Sequence, residues 1–240
     1  MLASNMSDPN FYHLPIIQLR DTLRQQLASL KSQMSHSEPS NTLAVFKQQW
    51  QLIHQSEQQN QHSAEDIEAQ QVDWLIRLFN ALFASQNVVL VRGKHEPEYF
   101  PATEEQPARI QFAHGFFQSA LHEISHWSIA GARRRTLSDF GYWYAPDGRT
   151  EAQQKVFEQV EIKPQAIECL FSLMCGRRFR VSQDNLHADF DTSQSTFAVD
   201  VFNQATHYIN QPQTLPKDAQ TLLTALAYTC RDTIVVDEVC

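Results

Sequence analysis

Two histidines and a glutamate stand in one pentapeptide, His122-Glu123-Ile124-Ser125-His126. On a helix, residues four apart lie one turn above each other, so both imidazoles point to one side and can share a metal ion. Glu123 lies about 100° further round the helix than His122 and faces a neighbouring sector. In metallopeptidases a glutamate in that place is the general base for a metal-bound water. Phe116, Phe117, Ala120 and Leu121 precede the motif, and Trp127, Ile129 and Ala130 follow it, as on a buried helix. Buried histidines and a buried glutamate need polar partners, and a shared metal supplies them.

Two histidines leave a metal site one protein ligand short. The longer pattern HExxHxxGxxH does not continue here: position 132 is Ala132, and no histidine occurs from 127 to 186. A downstream carboxylate is the expected third ligand, with Glu158, Glu161 and Glu168 as candidates. Spacing does not choose between Glu161 and Glu168. A two-histidine, one-carboxylate set suits zinc hydrolysis and non-haem Fe(II) oxygen chemistry alike. His187-Ala188-Asp189 followed by His207 imitates another iron-ligand set, but that set needs a β-sandwich and His207 falls on an expected helix. No GxSxG elbow and no cysteine in a helix-start turn point to nucleophilic catalysis.

The segment after the motif packs charges, aromatics and a turn together. It holds Arg133, Arg134 and Arg135, then Asp139, Phe140, Tyr142, Trp143 and Tyr144, then Pro146-Asp147-Gly148. Two readings stand: a loop folded under its own aromatics, or a wall of the site that orients a substrate chain. The three arginines are either a docking surface for an acidic partner or a solvated basic loop.

The elements that must hold these residues follow from periodicity. Ile16, Leu19, Leu23, Leu27 and Leu30 form one apolar helical face, and Leu43, Phe46, Trp50 and Ile53 form a second. Ser35–Asn41 reads as a loop and Gln55–Ser63 as a solvated linker. Ser63 with Asp66 and Glu68 marks a helix start, and that helix runs through Phe83. Val88–Val91 is a strand, His95–Gln106 a loop and Ile110–Phe112 a short strand. The metal helix spans about Phe116–Ala130. Glu151–Cys175 is helical with a break or kink at Pro164. Phe179–Val181 reads as a strand, Phe197–Ile209 and Lys217–Tyr228 as helices, and Thr233–Val236 as a strand or tail. The sum is a mainly helical α+β protein, with a helical extension over 1–64 and the metal-dependent domain over 65–240.

Composition narrows the function classes. The chain has 240 residues and a formal charge of −8, which argues against a broad nucleic-acid-binding face. No apolar run reaches the ~18 residues of a membrane span. Met1–Asn10 lacks the basic flank and apolar run of a secretory signal, so a cytoplasmic protein is expected. The four cysteines, Cys169, Cys175, Cys230 and Cys240, have no CxxC spacing and read as reduced thiols.

Three stretches carry a family resemblance: Ala113–Arg149 around the motif, Phe157–Glu168, and Val181–Leu186. Over roughly residues 70–210 the chain resembles the elongation factor P hydroxylase family. The resemblance implies hydroxylation of the modified lysine of elongation factor P, a lysine that already carries a β-lysyl group. It implies a non-haem Fe(II) centre using O2 and an electron donor that the sequence does not identify, on a fold unlike the jelly-roll oxygenases. His122 and His126 match the histidine ligands. The string Val160-Glu161-Ile162-Lys163-Pro164-Gln165 matches the family's VExKPQ and selects Glu161 as third ligand, with Glu168 as the alternative. Glu123 then stands behind the ligands, and Asp139, Tyr142, Tyr144 and Asp147 are the expected contacts of a cationic substrate chain. The competing reading is a zincin-type zinc peptidase with Glu123 as base. A third is a binding module with a structural metal, which would need a closed four-ligand site.

Overall fold

The computed structural model describes residues 9–27, 39–59, 61–141, 148–185, 190 and 195–230. Seven α-helices and three strands are described, with short 3-10 turns between them. In chain order they are α1 (Ile16–Arg24), α2 (Pro39–Gln58), α3 (Ala64–Leu82), β1 (Val88–Arg92), β2 (Glu98–Phe100), β3 (Ala108–Phe112), α4 (Phe117–Ile129), α5 (Glu151–Met174), α6 (Phe197–Asn210) and α7 (Lys217–Thr229). The architecture is therefore α+β and mainly helical, with one small sheet among the described residues.

Local chemistry sets most of these boundaries. Ser63 and Asp66 close a capping box at the start of α3, each side chain serving the other's backbone N–H. Thr150 and Gln153 do the same for α5. The α5 helix runs through Pro164 as one element. The sheet order is β1-β3-β2, with β1 parallel to β3 and β2 antiparallel to it. In the parallel register Val88 faces Ala108 and Leu90 faces Ile110, so one set of alternating side chains enters the core. The outer edge of β1 is held by Asn80 of α3, whose Oδ1 accepts from the Leu90 N–H at 2.8 Å.

One hydrophobic core links these elements. Leu19, Leu23, Leu43 and Trp50 belong to it together with Trp74, Phe117, Trp127, Phe171 and Leu226. Trp50 packs on Trp74 with ring centroids 4.4 Å apart, and the Trp74 Nε1–H donates to the Phe46 carbonyl at 2.9 Å. Phe11 meets Phe179 and Phe202 edge-on. Arg20 of α1 donates to the Met174 carbonyl at the end of α5, 2.9 Å away.

Four local expectations are corrected. The loop expected over Ser35–Asn41 yields to helix at Pro39, because proline's fixed φ and missing N–H suit a first helical turn. The linker expected over Gln55–Ser63 is helical as far as Gln58, since glutamine is a good helix former. β2 lies inside the expected loop His95–Gln106 and exists through its pairing with β3. Phe179–Val181 forms no strand: Phe179 packs edge-on against Phe11, and Gln165 holds the next residue, Ser182, through both its backbone groups. Leu30 and Thr233–Val236 lie outside the described residues. Cys169, Cys175 and Cys230 are buried free thiols. No described helix is long and apolar enough to cross a membrane.

Candidate metal centre

α4 brings the two histidines together as its period requires. Phe117, Ala120, Leu121, Ile124 and Trp127 are buried and fix the helix in the core. His122 is partly buried and His126 is buried, and their Nε2 atoms stand 3.0 Å apart. α5 packs against α4 and adds Glu161, which is 1% exposed. Its Oε1 lies 3.3 Å from His126 Nε2 and its Oε2 3.8 Å from His122 Nε2. One ligand atom from each of the three residues lies within 4.8 Å of the others.

These separations fit a shared cation. Donors ~2.1 Å from one centre stand ~3.0 Å apart at a right angle and ~3.4 Å apart at the tetrahedral angle. Glu161 Oε2 is buried and has no hydrogen-bond partner among the described residues. A carboxylate oxygen in that condition is costly, and a cation at the meeting point of the two imidazoles relieves the cost.

The electrostatics agree. Burial favours a neutral Glu161, yet the charge and hydrogen bond of His126, followed by the charge of His122, hold its carboxyl down at about 2. Burial likewise opposes a charged His122. Glu168, through charge and a hydrogen bond, and then Glu161 and Glu123 push it up to about 10. Glu123 is raised by burial, against the pull of His122 and His126. Its carboxylate makes no hydrogen bond to another described residue. A cluster of shifted groups around one point is what functional sites have in common.

Geometry separates the carboxylates that spacing left open. Glu161 faces the two Nε2 atoms. Glu168 sits on the other nitrogen of His122, with Oε2 2.8 Å from Nδ1. Glu158 is engaged elsewhere, accepting from Gln154 and from Ser195. Asp139 does not join the cluster through any described contact. Its Oδ1 accepts from the Tyr99 N–H at 2.9 Å, while Phe140 stacks on the Tyr99 ring with centroids 4.1 Å apart. Asp139, Phe140 and Gly141 all have positive φ, a strained run that ties the loop to the edge of β2. Tyr142, Tyr144 and Asp147 lie outside the described residues, as do His187 and Asp189. His207 lies beside the Thr214 hydroxyl, with Nε2 3.3 Å away.

Two arginines of the triplet make hydrogen bonds within the protein. Arg135 donates to the Trp127 carbonyl at the end of α4, covers the Trp127 ring at 3.9 Å and pairs with Asp218 of α7. Arg134 donates to the Phe140 carbonyl at 3.2 Å. Arg133 and Arg134 are exposed and keep the solvent-facing character that a docking role needs, whereas Arg135 is half-buried.

Sequence reasoning missed the groups that fix the metal helix. Phe116 offers no side-chain cap to α4. Glu68 of α3 supplies it, accepting from the Phe117 N–H at 2.8 Å, and is itself paired with Arg177 at 2.7 Å. Gln118 and Ser172 meet Glu168 behind His122. The available signal was helical spacing: Gln118 precedes His122 by four, and Ser172 follows Glu168 by four. Arg149 was missed too. It is buried, stacked on Phe157 and bonded to the Gln183 carbonyl, so the segment around Val181–Asn185 is pinned beside α5.

The fold and the site together define a helical α+β protein with a candidate mononuclear metal centre of two histidines and one carboxylate. A family model described as elongation factor P hydroxylase matches residues 78–238. A Haemophilus influenzae protein named elongation factor P lysine hydroxylase is 45% identical over 178 residues, which cover 72% of this chain and 94% of that relative. The chain belongs to the elongation factor P hydroxylase family. The family match begins within α3 and includes the sheet, both helices of the site, α6 and α7.

Proposed function

We propose that this chain hydroxylates the β-lysylated lysine of elongation factor P in the cytoplasm, with Fe(II) held by His122, His126 and Glu161. The observation that carries the reading is the convergence of these three side chains around the unpartnered Oε2 of Glu161, in a member of this family. Bound iron supplies the activation of O2 that an unactivated C–H bond needs, with electrons from a separate donor.

The chain's own residues do the rest. The two imidazoles and Glu161 would hold the iron, and three protein ligands would leave it positions for O2 chemistry. The apolar side chains of α4 and α5 exclude water from behind the ligands. Glu123, partly buried and with no hydrogen bond from its carboxylate to another described residue, is placed to receive an ammonium group of the substrate chain. Asp139, Tyr142, Tyr144 and Asp147 are kept in this proposal as contacts of the cationic substrate chain.

The peptidase alternative takes support from the same Glu123, which has the place of a general base. One experiment separates the two. Elongation factor P, with and without its β-lysyl group, is incubated with the protein, Fe(II) and a reductant, in air and anaerobically, and read by intact mass. The hydroxylase reading predicts a gain of one oxygen atom on the β-lysylated form in air only. Cleavage products without O2 would establish the peptidase instead.

A further inference from the structure

We infer that Glu168 is a positioning residue for the metal centre: held by Gln118 and Ser172 in a polar ladder between α4 and α5, it takes the Nδ1–H of His122 and so directs Nε2 toward the metal. The inference rests on the ligand set proposed above and adds to it the groups that aim one of its ligands.

The ladder has a regular construction. Gln118, His122 and His126 occupy successive turns of one face of α4. Opposite them, in antiparallel order along α5, stand Ser172, Glu168 and Glu161. Gln118 donates to Ser172 Oγ at 2.9 Å and to Glu168 Oε1, while Ser172 Oγ donates back to the Glu168 carbonyl at 2.8 Å. Glu168 Oε2 remains for His122 Nδ1, at 2.8 Å. Both oxygens of the carboxylate are thereby used, each on a different helical turn of α4.

Around the ladder the interface is apolar. Leu121, Ile124, Ala166, Ile167, Leu170 and Phe171 are fully buried. Helix packing alone would be served there by another apolar side chain, and a buried carboxylate needs compensating partners. What Glu168 adds is directional. An imidazole that donates from Nδ1 presents the lone pair of Nε2, and a carboxylate on Nδ1 raises its strength as a ligand. Glu161 and Glu168, two turns apart on α5, thus address the two nitrogens of one ring from one helix.

The test uses the full chain with Zn(II) as a diamagnetic probe. Glu168→Gln keeps the volume and removes the charge. The expected result is an unchanged circular dichroism spectrum and Zn(II) affinity about 10–100-fold weaker. The Nδ1–H proton resonance of His122 in the Zn(II)-loaded protein, far downfield in the wild type, moves upfield. A folded Glu168→Gln protein with wild-type affinity and an unmoved resonance overturns the inference. Should that variant not fold, Gln118→Met decides, since it removes the donor to Oε1 and the link to Ser172 while leaving the Glu168 carboxylate on His122. The same two changes at smaller amplitude support the inference, and their absence overturns it. His126→Ala separates the two levels: loss of Zn(II) there with normal binding in Glu168→Gln defeats the positioning role alone, whereas normal binding in both defeats the ligand set as well.

Discussion

Glu161 and Glu168 have the same chemistry, lie on the same helix and do different things because each meets a different nitrogen of His122. Replacing Glu161 by Gln removes the anion that two imidazoles converge on. Metal affinity is expected to fall at least as far as in an outer-partner substitution, about 100-fold or more, and hydroxylation with it. Equilibrium dialysis against Zn(II) and the mass assay check this. The pH dependence has a definite sign. With only protein groups around it, His122 is pushed up to about 10, so at neutral pH it carries a proton that a metal must displace. Glu161, held at about 2, stays ionised throughout and adds no slope. Affinity should therefore fall about tenfold for each unit the pH drops below that of His122. Competition titrations at several pH values check it, and a flat profile would contradict it. At this scale the sequence told much of the site. The His122–His126 spacing put the two histidines on one face, whereas spacing alone left Glu161 and Glu168 open: the family resemblance favoured Glu161, and what sets the two apart physically is the packing of α5 on α4.

The metal helix is set in place by neighbours rather than by its own ends. Its start is capped by Glu68 and its end by Arg135, from outside the helix in both cases. Hydrogen bonds to charged groups contribute about 1.5–3 kcal/mol each. Glu68→Ala should thus cost about 2 kcal/mol, or about 4–8 °C in Tm. It should leave metal stoichiometry unchanged, because no ligand is touched. Differential scanning calorimetry and metal analysis on one sample check both parts. Long elements with a clear 3.6-residue period, such as α3, α5 and α7, were readable in the sequence to within a few residues. β2 was not, because three residues between Pro97 and Pro101 carry no strand pattern and take their conformation from β3. Phe179–Val181 misled in the opposite way. A β-favouring composition makes a strand only where another strand is free to pair, and here Phe179 packs on Phe11 while Gln165 takes the backbone groups of the next residue, Ser182.

The family match starts at residue 78, but the core does not. Leu19, Leu23, Leu43 and Trp50 are buried among residues of the matched region. Burial of each such side chain stabilises by about 1.5–3 kcal/mol, against a total stability of about 5–15 kcal/mol for a typical domain. A chain that begins at Ala64 should therefore be unfolded or aggregated, and Trp50→Ala should lose about 3–5 kcal/mol. Urea unfolding followed by circular dichroism checks the second, and solubility with circular dichroism the first. This integration was hidden from sequence reasoning. The amphipathic faces of α1 and α2 were visible, but what they pack against was not: Trp50 of α2 meets Trp74 and Phe117, and beside α1 the contacts of Phe11 with Phe179 and of Arg20 with Met174 join residues more than a hundred positions apart.

The most direct test of the account is anomalous diffraction at the iron edge from crystals of the full chain grown anaerobically with Fe(II). A single strong peak is predicted within bonding distance of His122 Nε2, His126 Nε2 and a Glu161 carboxylate oxygen, with Glu168 on Nδ1 of His122 and outside the coordination sphere. A peak bonded to Glu168 instead of Glu161, or iron bound away from the two histidines, would contradict it.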